Sequence, residues 1–224
     1  MDKERINYEE LNNKPVKVAG GPFYRFVKRS FDIFASFMFL LLFGWFILIL
    51  ILIKWLEDFH RPIYVSKRVG KGGKEIKFHK IRSMKPNADK MKDDLINDGL
   101  NEADGPVFKM KDDPRITKFG KFLRKTSLDE LPQVWDIFCG RMSIVGPRPP
   151  LPEEVAKYTP RQMHRLDVRG GLICTWQITK NRHSISFDEW TELDIAYIEH
   201  RSIGLDLKII FKGIWFVLTD RTGE

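Results

Sequence analysis

Cysteine is scarce: the 224 residues hold only Cys139 and Cys174, far apart and without C-x-x-C spacing. A disulfide framework and a cysteine zinc site are excluded, and a reducing compartment fits best. Acid is also in deficit, with 30 Asp and Glu against 38 Lys and Arg and a formal net charge of +8. Such an excess asks for an anionic partner: nucleic acid, a lipid headgroup surface or phosphorylated small molecules. No internal repeat occurs. Charged residues at 30% and hydrophobic ones at 43% read as globular rather than disordered, and the length suits one domain with a core plus an appendage.

Polar residues are all but missing from one stretch. Over residues 33–53 every side chain is apolar except Ser36 and Gly44. As a helix that stretch measures about 31 Å, enough for a bilayer core of roughly 30 Å. It ends at Lys54 and Trp55 with no small-residue cleavage site, so it reads as a membrane anchor and not as a removable signal peptide. Its flanks are basic on both sides: Arg25, Lys28 and Arg29 before it, Lys54, Arg61, Lys67, Arg68 and Lys71 after it. Basic flanks favour the cytoplasm. A straight span would put one cluster outside. A helix that enters, breaks at Gly44 and returns keeps both inside.

Residues 1–24 are polar and mixed in charge, which suggests a loosely ordered arm or a short surface helix. Residues 61–84 hold two β-rich runs, PIYVSKRVG and KEIKFHKIRS, around Gly70, Gly72 and Gly73, the pattern of a hairpin. Residues 85–113 carry eight acids against five bases and few large apolar side chains, as a partly helical, lid-like excursion would. From Arg115 the spacing becomes helical, with Ile116, Phe119, Phe122 and Leu123 on one face and Lys118, Lys121, Arg124 and Lys125 on another. Such a helix packs on a core or lies on an anionic membrane surface. Leu131, Val134, Trp135 and Phe138 keep helical spacing up to Gly140; residues 187–199 and 205–218 read as two further helices, the last buried or interfacial.

Within TSLDELPQ, Asp129 and Glu130 admit two readings. Ser127 and Glu130 fit a capping box, with acids favoured in a first helical turn. Alternatively, a carboxylate at a helix N-terminus stays ionised and serves as a nucleophile or magnesium ligand. Phosphoryl chemistry also needs cations. Arg124 lies five residues upstream, and Arg148 sits between prolines in Gly146-Pro147-Arg148-Pro149, which fixes its guanidinium for bidentate phosphate binding.

The stretches KRSFDI, SKRVGKGGKEIKFHKIRSM, DDPRITKFGKFLRKTSLDELPQVWDIFCGRMSIVGPRP, WQI and LDIAYIEHRSIGLDLKII stand in an order that resembles the bacterial sugar transferases. These are the monotopic polyprenyl-phosphate phosphoglycosyl transferases that begin exopolysaccharide, capsule and glycan assembly. LRKTSLDELPQ followed by MSIVGPRP carries most of the likeness, and the chain looks like the minimal form. The resemblance implies a mostly helical α+β fold: a small β-hairpin, interfacial amphipathic helices and a re-entrant membrane helix. It divides the chain into an arm (residues 1–24), a membrane-anchoring helix broken near Gly44 (25–60) and a cytoplasmic transferase domain (61–224).

The implied reaction moves a sugar 1-phosphate from a nucleotide sugar, typically UDP-linked, to undecaprenyl phosphate and releases UMP. Asp129 would be the nucleophile, forming a covalent phosphosugar intermediate with Mg2+ bound beside it, and Glu130 the second acid of the dyad. Lys80, Arg124 and Arg148 would hold phosphates. The partners are then the nucleotide sugar, undecaprenyl phosphate and membrane lipid at the cytoplasmic face of the cell membrane, with no nucleic acid and with a homodimer left open. Two departures stand out. The family's Ser-Pro helix break is Gly44-Trp45 here, and its Arg-Pro-Gly-Ile-Thr-Gly reads Arg169-Gly170-Gly171-Leu172-Ile173-Cys174. Donor specificity therefore does not carry over. Two rivals remain: a membrane-tethered basic binding protein without catalysis, and a Mg2+-dependent membrane phosphatase.

Overall fold

The computed structural model describes residues 14–100, 110, 112–179 and 185–219. Helix α1, Pro22–Asp58, dominates it. Pro22 suits a first turn, where its missing N–H is no loss. Phe59, in the left-handed region at φ 54°, closes the helix by donating to the Trp55 carbonyl. Its 37 residues span about 55 Å. Among the described residues it alone is long and apolar enough to cross a membrane. The helix continues without interruption through Gly44, so the break expected there is absent. Glycine keeps the backbone N–H that proline would remove, so it permits a break without causing one. The N-terminal arm falls largely outside the described residues; its described part pairs the Ala19 N–H with the Ile198 carbonyl.

The hairpin forms where expected. Strand β1, Ile63–Val69, runs antiparallel to β2, Glu75–Ile81, with Arg68 opposite Ile76, Ser66 opposite Phe78 and Tyr64 opposite Lys80. Helix α2, Ala88–Asn97, occupies part of the acid-rich excursion; residues 101–109 and 111 of it lie outside the described residues. Next come α3 (Lys118–Lys125), α4 (Gln133–Phe138), β3 (Ser143–Val145), and the short helices α5 (Pro152–Val155) and α6 (Pro160–Met163). Strand β4, Gly171–Ile173, pairs with β3 in parallel. Helices α7, Phe187–His200, and α8, Ile203–Thr219, are the last described elements; α7 carries the Ser186–Glu189 capping box.

Three clusters make the core. Leu50 of α1, Ile81 of β2 and Leu123 of α3 form one; Phe78, Ile137 and Met142 form another beneath the hairpin; Val145, Val168, Tyr197, Ile198 and Ile209 bind β3 to α7 and α8. The long helix is therefore part of the domain's own core.

Polar side chains on α1 complete the docking. Arg29 donates to the carbonyls of Ile137 (2.7 Å) and Phe138 (2.8 Å) at the C-terminal end of α4. Buried Asp32 accepts from the Ile144 N–H at 3.0 Å. Nearer the N-terminus, Tyr24 and Lys28 both reach Asp206 of α8 at 2.8 Å. At the other end, Lys54 is fully buried and pairs with Glu57 and Asp58, close to Thr117 at the start of α3.

Candidate active site

Asp129 and Glu130 lie in a separate 3-10 turn, Leu128–Glu130, ahead of α4. The capping-box reading is not borne out: the Ser127 side chain makes no cap bond, and Ser127 itself sits at φ 55°. Only its backbone carbonyl meets the Glu130 N–H, at 3.3 Å. The left-handed residue turns the chain out of α3, and Pro132 begins α4 beyond the acids. Neither carboxylate is consumed in capping a helix.

Two segments distant in sequence, together with nearby Arg124, converge on this turn. Lys80 of β2 places its ammonium 2.7 Å from Glu130 Oε1 and 3.5 Å from Asp129 Oδ2. Arg148 approaches the same Glu130 oxygen at 3.5 Å. Arg124 donates its Nε–H to Ser83 at 2.9 Å and makes no ion pair within 4 Å among the described residues, yet its charge is felt by Asp129. All five residues singled out from sequence thus belong to one site, with Arg124 in an outer place.

The Arg148 turn depends on a close backbone approach. A Cβ on Gly146 would meet the Arg169 carbonyl at 2.5 Å, and one on Gly171 would meet the Gly146 nitrogen at 2.1 Å. Only glycine fits where β3 and β4 lead into Gly146-Pro147-Arg148-Pro149. The Gly171 N–H then donates to the Pro147 carbonyl at 2.9 Å, which fastens the turn.

The two acids have opposite electrostatics. Asp129 is 5% exposed. Burial raises its pKa; Lys80 opposes this, the Glu130 charge adds to it, and Arg124 opposes it again. Burial would also raise Glu130, but attraction to Lys80 and Arg148 outweighs it and holds the value down to about 2. The pair therefore carries one firmly ionised acid and one more basic neighbour, a division of labour common in catalytic carboxylate pairs. No cluster of three or more His, Cys, Asp or Glu able to hold a metal exists among the described residues. A magnesium ion that keeps waters and takes substrate phosphate oxygens needs only one or two carboxylates, which this turn offers.

Several residues at or around the site escaped the reading of motifs. Arg68 of β1 lies beside Arg148; Asp136 of α4, fully buried, accepts from the His79 backbone N–H at 2.9 Å and pairs with His79 Nδ1 at 2.7 Å and with Arg141 at 3.0 Å. Arg68 shares a face of the hairpin with Lys80, a relation that only the paired strands reveal. Polar residues at the edge of an apolar run were the signal for Arg29 and Asp32.

Known proteins resemble the chain over nearly its whole length. It is 37% identical over 230 residues to "Galactosyl transferase CpsE" of Streptococcus agalactiae, covering 97% of this chain and 51% of that protein. It is 38% identical over 197 residues to "Exopolysaccharide production protein ExoY" of Rhizobium meliloti, covering 87% and 86%. It is 32% identical over 222 residues to "UDP-N-acetylgalactosamine-undecaprenyl-phosphate N-acetylgalactosaminephosphotransferase" of Aeromonas hydrophila, covering 96% and 49%. The chain thus spans about half the length of the first and third of these relatives. The family model for bacterial sugar transferase matches residues 23–220, from the start of α1 past the end of α8 and across the whole carboxylate site, and the chain belongs to that family.

Proposed function

We propose that the chain is a phosphoglycosyl transferase that moves a sugar 1-phosphate from a UDP-linked sugar to undecaprenyl phosphate at the cytoplasmic face of the cell membrane. One observation carries the reading: a buried, basic carboxylate beside an ionised one, with Lys80 and Arg148 arriving from separate segments. A structural ion pair needs one cation, whereas phosphoryl transfer needs several. Relatives whose names include undecaprenyl-phosphate and UDP-N-acetylgalactosamine support the choice of acceptor and donor class.

In this mechanism an Asp129 oxygen attacks the sugar-bearing phosphorus of the diphosphate. The bond from that phosphorus to the bridging oxygen breaks, and UMP leaves with the electron pair. The lipid phosphate oxygen then attacks the same phosphorus, and the Asp129–phosphorus bond breaks to restore the carboxylate. The raised basicity of Asp129 favours the first attack. Lys80 and Arg148 hold phosphate oxygens, while Glu130 keeps both cations placed. Arg124 adds positive charge from the outer position. When bound at Asp129 and the substrate phosphates, Mg2+ supplies neutralisation of the diphosphate charge.

The test is a panel of UDP-sugars supplied with undecaprenyl phosphate. UMP and a lipid-linked sugar phosphate are expected for one or more donors. Free sugar phosphate without lipid product would make the protein a phosphatase, and no UMP with any donor would leave a binding protein.

A further inference from the structure

Like Arg124, Arg68 has no carboxylate within ion-pair distance among the described residues, and it lies closer to Arg148. In the hairpin register it shares a face with Phe78 and Lys80. Its guanidinium carbon lies 5.2 Å from the Phe78 ring centre, and the Lys80 ammonium lies 5.7 Å from the same ring. One Nη donates to the Pro149 carbonyl at 3.1 Å, next to Arg148. The Nε–H is buried and has no partner among the described residues. No carboxylate oxygen lies within 4 Å of the guanidinium among the described residues. The nearest acids by charge are Glu154 and Glu130, and both are committed: Glu154 accepts from the Leu151 N–H at 2.9 Å, and Glu130 serves Lys80 and Arg148.

A half-buried guanidinium set beside a second one, with a single neutral acceptor, is an unfavourable arrangement for a resting protein. Burial first, then repulsion from Arg148, lower its pKa to about 10. The strain is relieved by an anion that both guanidinia can share. Arginine suits that purpose, since its planar fork matches two phosphate oxygens at once.

Resting on the transferase reading above, we propose that Arg68 is a further phosphate-binding residue, which together with Arg148 takes the anionic oxygens of the nucleotide sugar's diphosphate. A purely structural Arg68 would instead be a strut, bracing the Arg148 turn through Pro149 and stacking on Phe78. The two roles predict opposite effects on the ligand-free protein. Removal of a strut lowers stability, whereas removal of an unbalanced buried cation leaves stability equal or higher.

Arg68→Met keeps an apolar stem on Phe78 and removes the charge. In detergent micelles its ligand-free Tm should match or exceed the wild type, while the Kd for UDP, measured calorimetrically, rises at least about tenfold. The KM for the nucleotide sugar should rise with it. Arg68→Lys retains charge and reach to the Pro149 carbonyl, so its UDP affinity should fall between the two. A lowered ligand-free Tm in Arg68→Met, or an unchanged UDP Kd, overturns the proposal. Should wild type itself bind no UDP and release no UMP, the transferase reading falls and this inference with it. A wild type that does both, matched by Arg68→Met, removes the role of Arg68 alone.

Discussion

Asp129 and Glu130 are chain neighbours, yet their surroundings pull them apart. Asparagine is nearly isosteric with aspartate, so Asp129→Asn tests charge with little change of shape. Since Asp129 caps no helix in this fold, the substitution should change stability by no more than about 1 kcal/mol. Turnover should fall by several orders of magnitude, because a neutral amide attacks no phosphorus. Wild-type protein given labelled UDP-sugar without lipid acceptor should trap label on Asp129; an active Asp129→Asn protein would remove the nucleophile from the mechanism. Glu130→Gln carries the pH test. The attacking form of Asp129 is the carboxylate, and burial together with the Glu130 charge raises its pKa. Activity should therefore fade on the acid side at a pH above the ordinary aspartate range. Replacing Glu130 removes that like charge and frees Lys80 for Asp129, and both changes lower the Asp129 pKa. The acid limb of the kcat/KM profile should move to lower pH, even as the rate drops. A limb that stays put or moves upward would show that Glu130 does not set Asp129.

Helix α1 and the Asp129–Glu130 turn are joined by two side chains one helical turn apart. Arg29 holds the C-terminal carbonyls of α4, whose opposite end follows Asp129 and Glu130, and Asp32 holds the N–H of Ile144 in β3, which leads to Arg148. Together they set the spacing between the two halves of the site. Asp32→Ala orphans the half-buried Ile144 backbone N–H and should cost about 1–3 kcal/mol in chemical denaturation. Its kcat should fall more than its KM, since positioning rather than binding is lost. A variant as stable as wild type would mean that the α1–β3 bond contributes nothing. How far these elements could be read from sequence follows from their physics. The hairpin was legible because alternation and glycine punctuation are local, and α7 because its cap and apolar face agree. The capping box at Ser127 was misleading: its residue types were right, but the left-handed turn that α3 requires turned the serine away. Arg148 and Lys80 were found by motif and likeness, whereas Arg68 needed strand register, which only tertiary pairing fixes. The uninterrupted α1 was missed for a similar reason, since a glycine in an apolar run looks the same whether it bends or not.

Among the described residues, two helices present exposed apolar faces. On α1, Phe34, Leu41, Trp45, Leu48 and Leu52 point outward, and on α8 so do Phe211, Ile214 and Trp215, the last 69% exposed. Patches of this extent mark a membrane or protein contact. Yet both ends of α1 dock on the same body: Tyr24 and Lys28 reach α8, and Lys54 reaches the start of α3. Between Lys28 and Lys54 the helix rises about 39 Å, more than the thickness of a bilayer core. A perpendicular span would put those two docking points on opposite sides of the membrane, where one globular body could not hold both. We therefore expect the helix ends and the domain to share one side, which the basic residues on each flank also favour. In intact cells, Lys17→Cys and Lys212→Cys, each made in a Cys139→Ser background because Cys139 is exposed, should resist a membrane-impermeant maleimide. Both should react after lysis. Labelling of Lys17→Cys from outside, with Lys212→Cys protected, would establish a true span and break the docking of one end of α1.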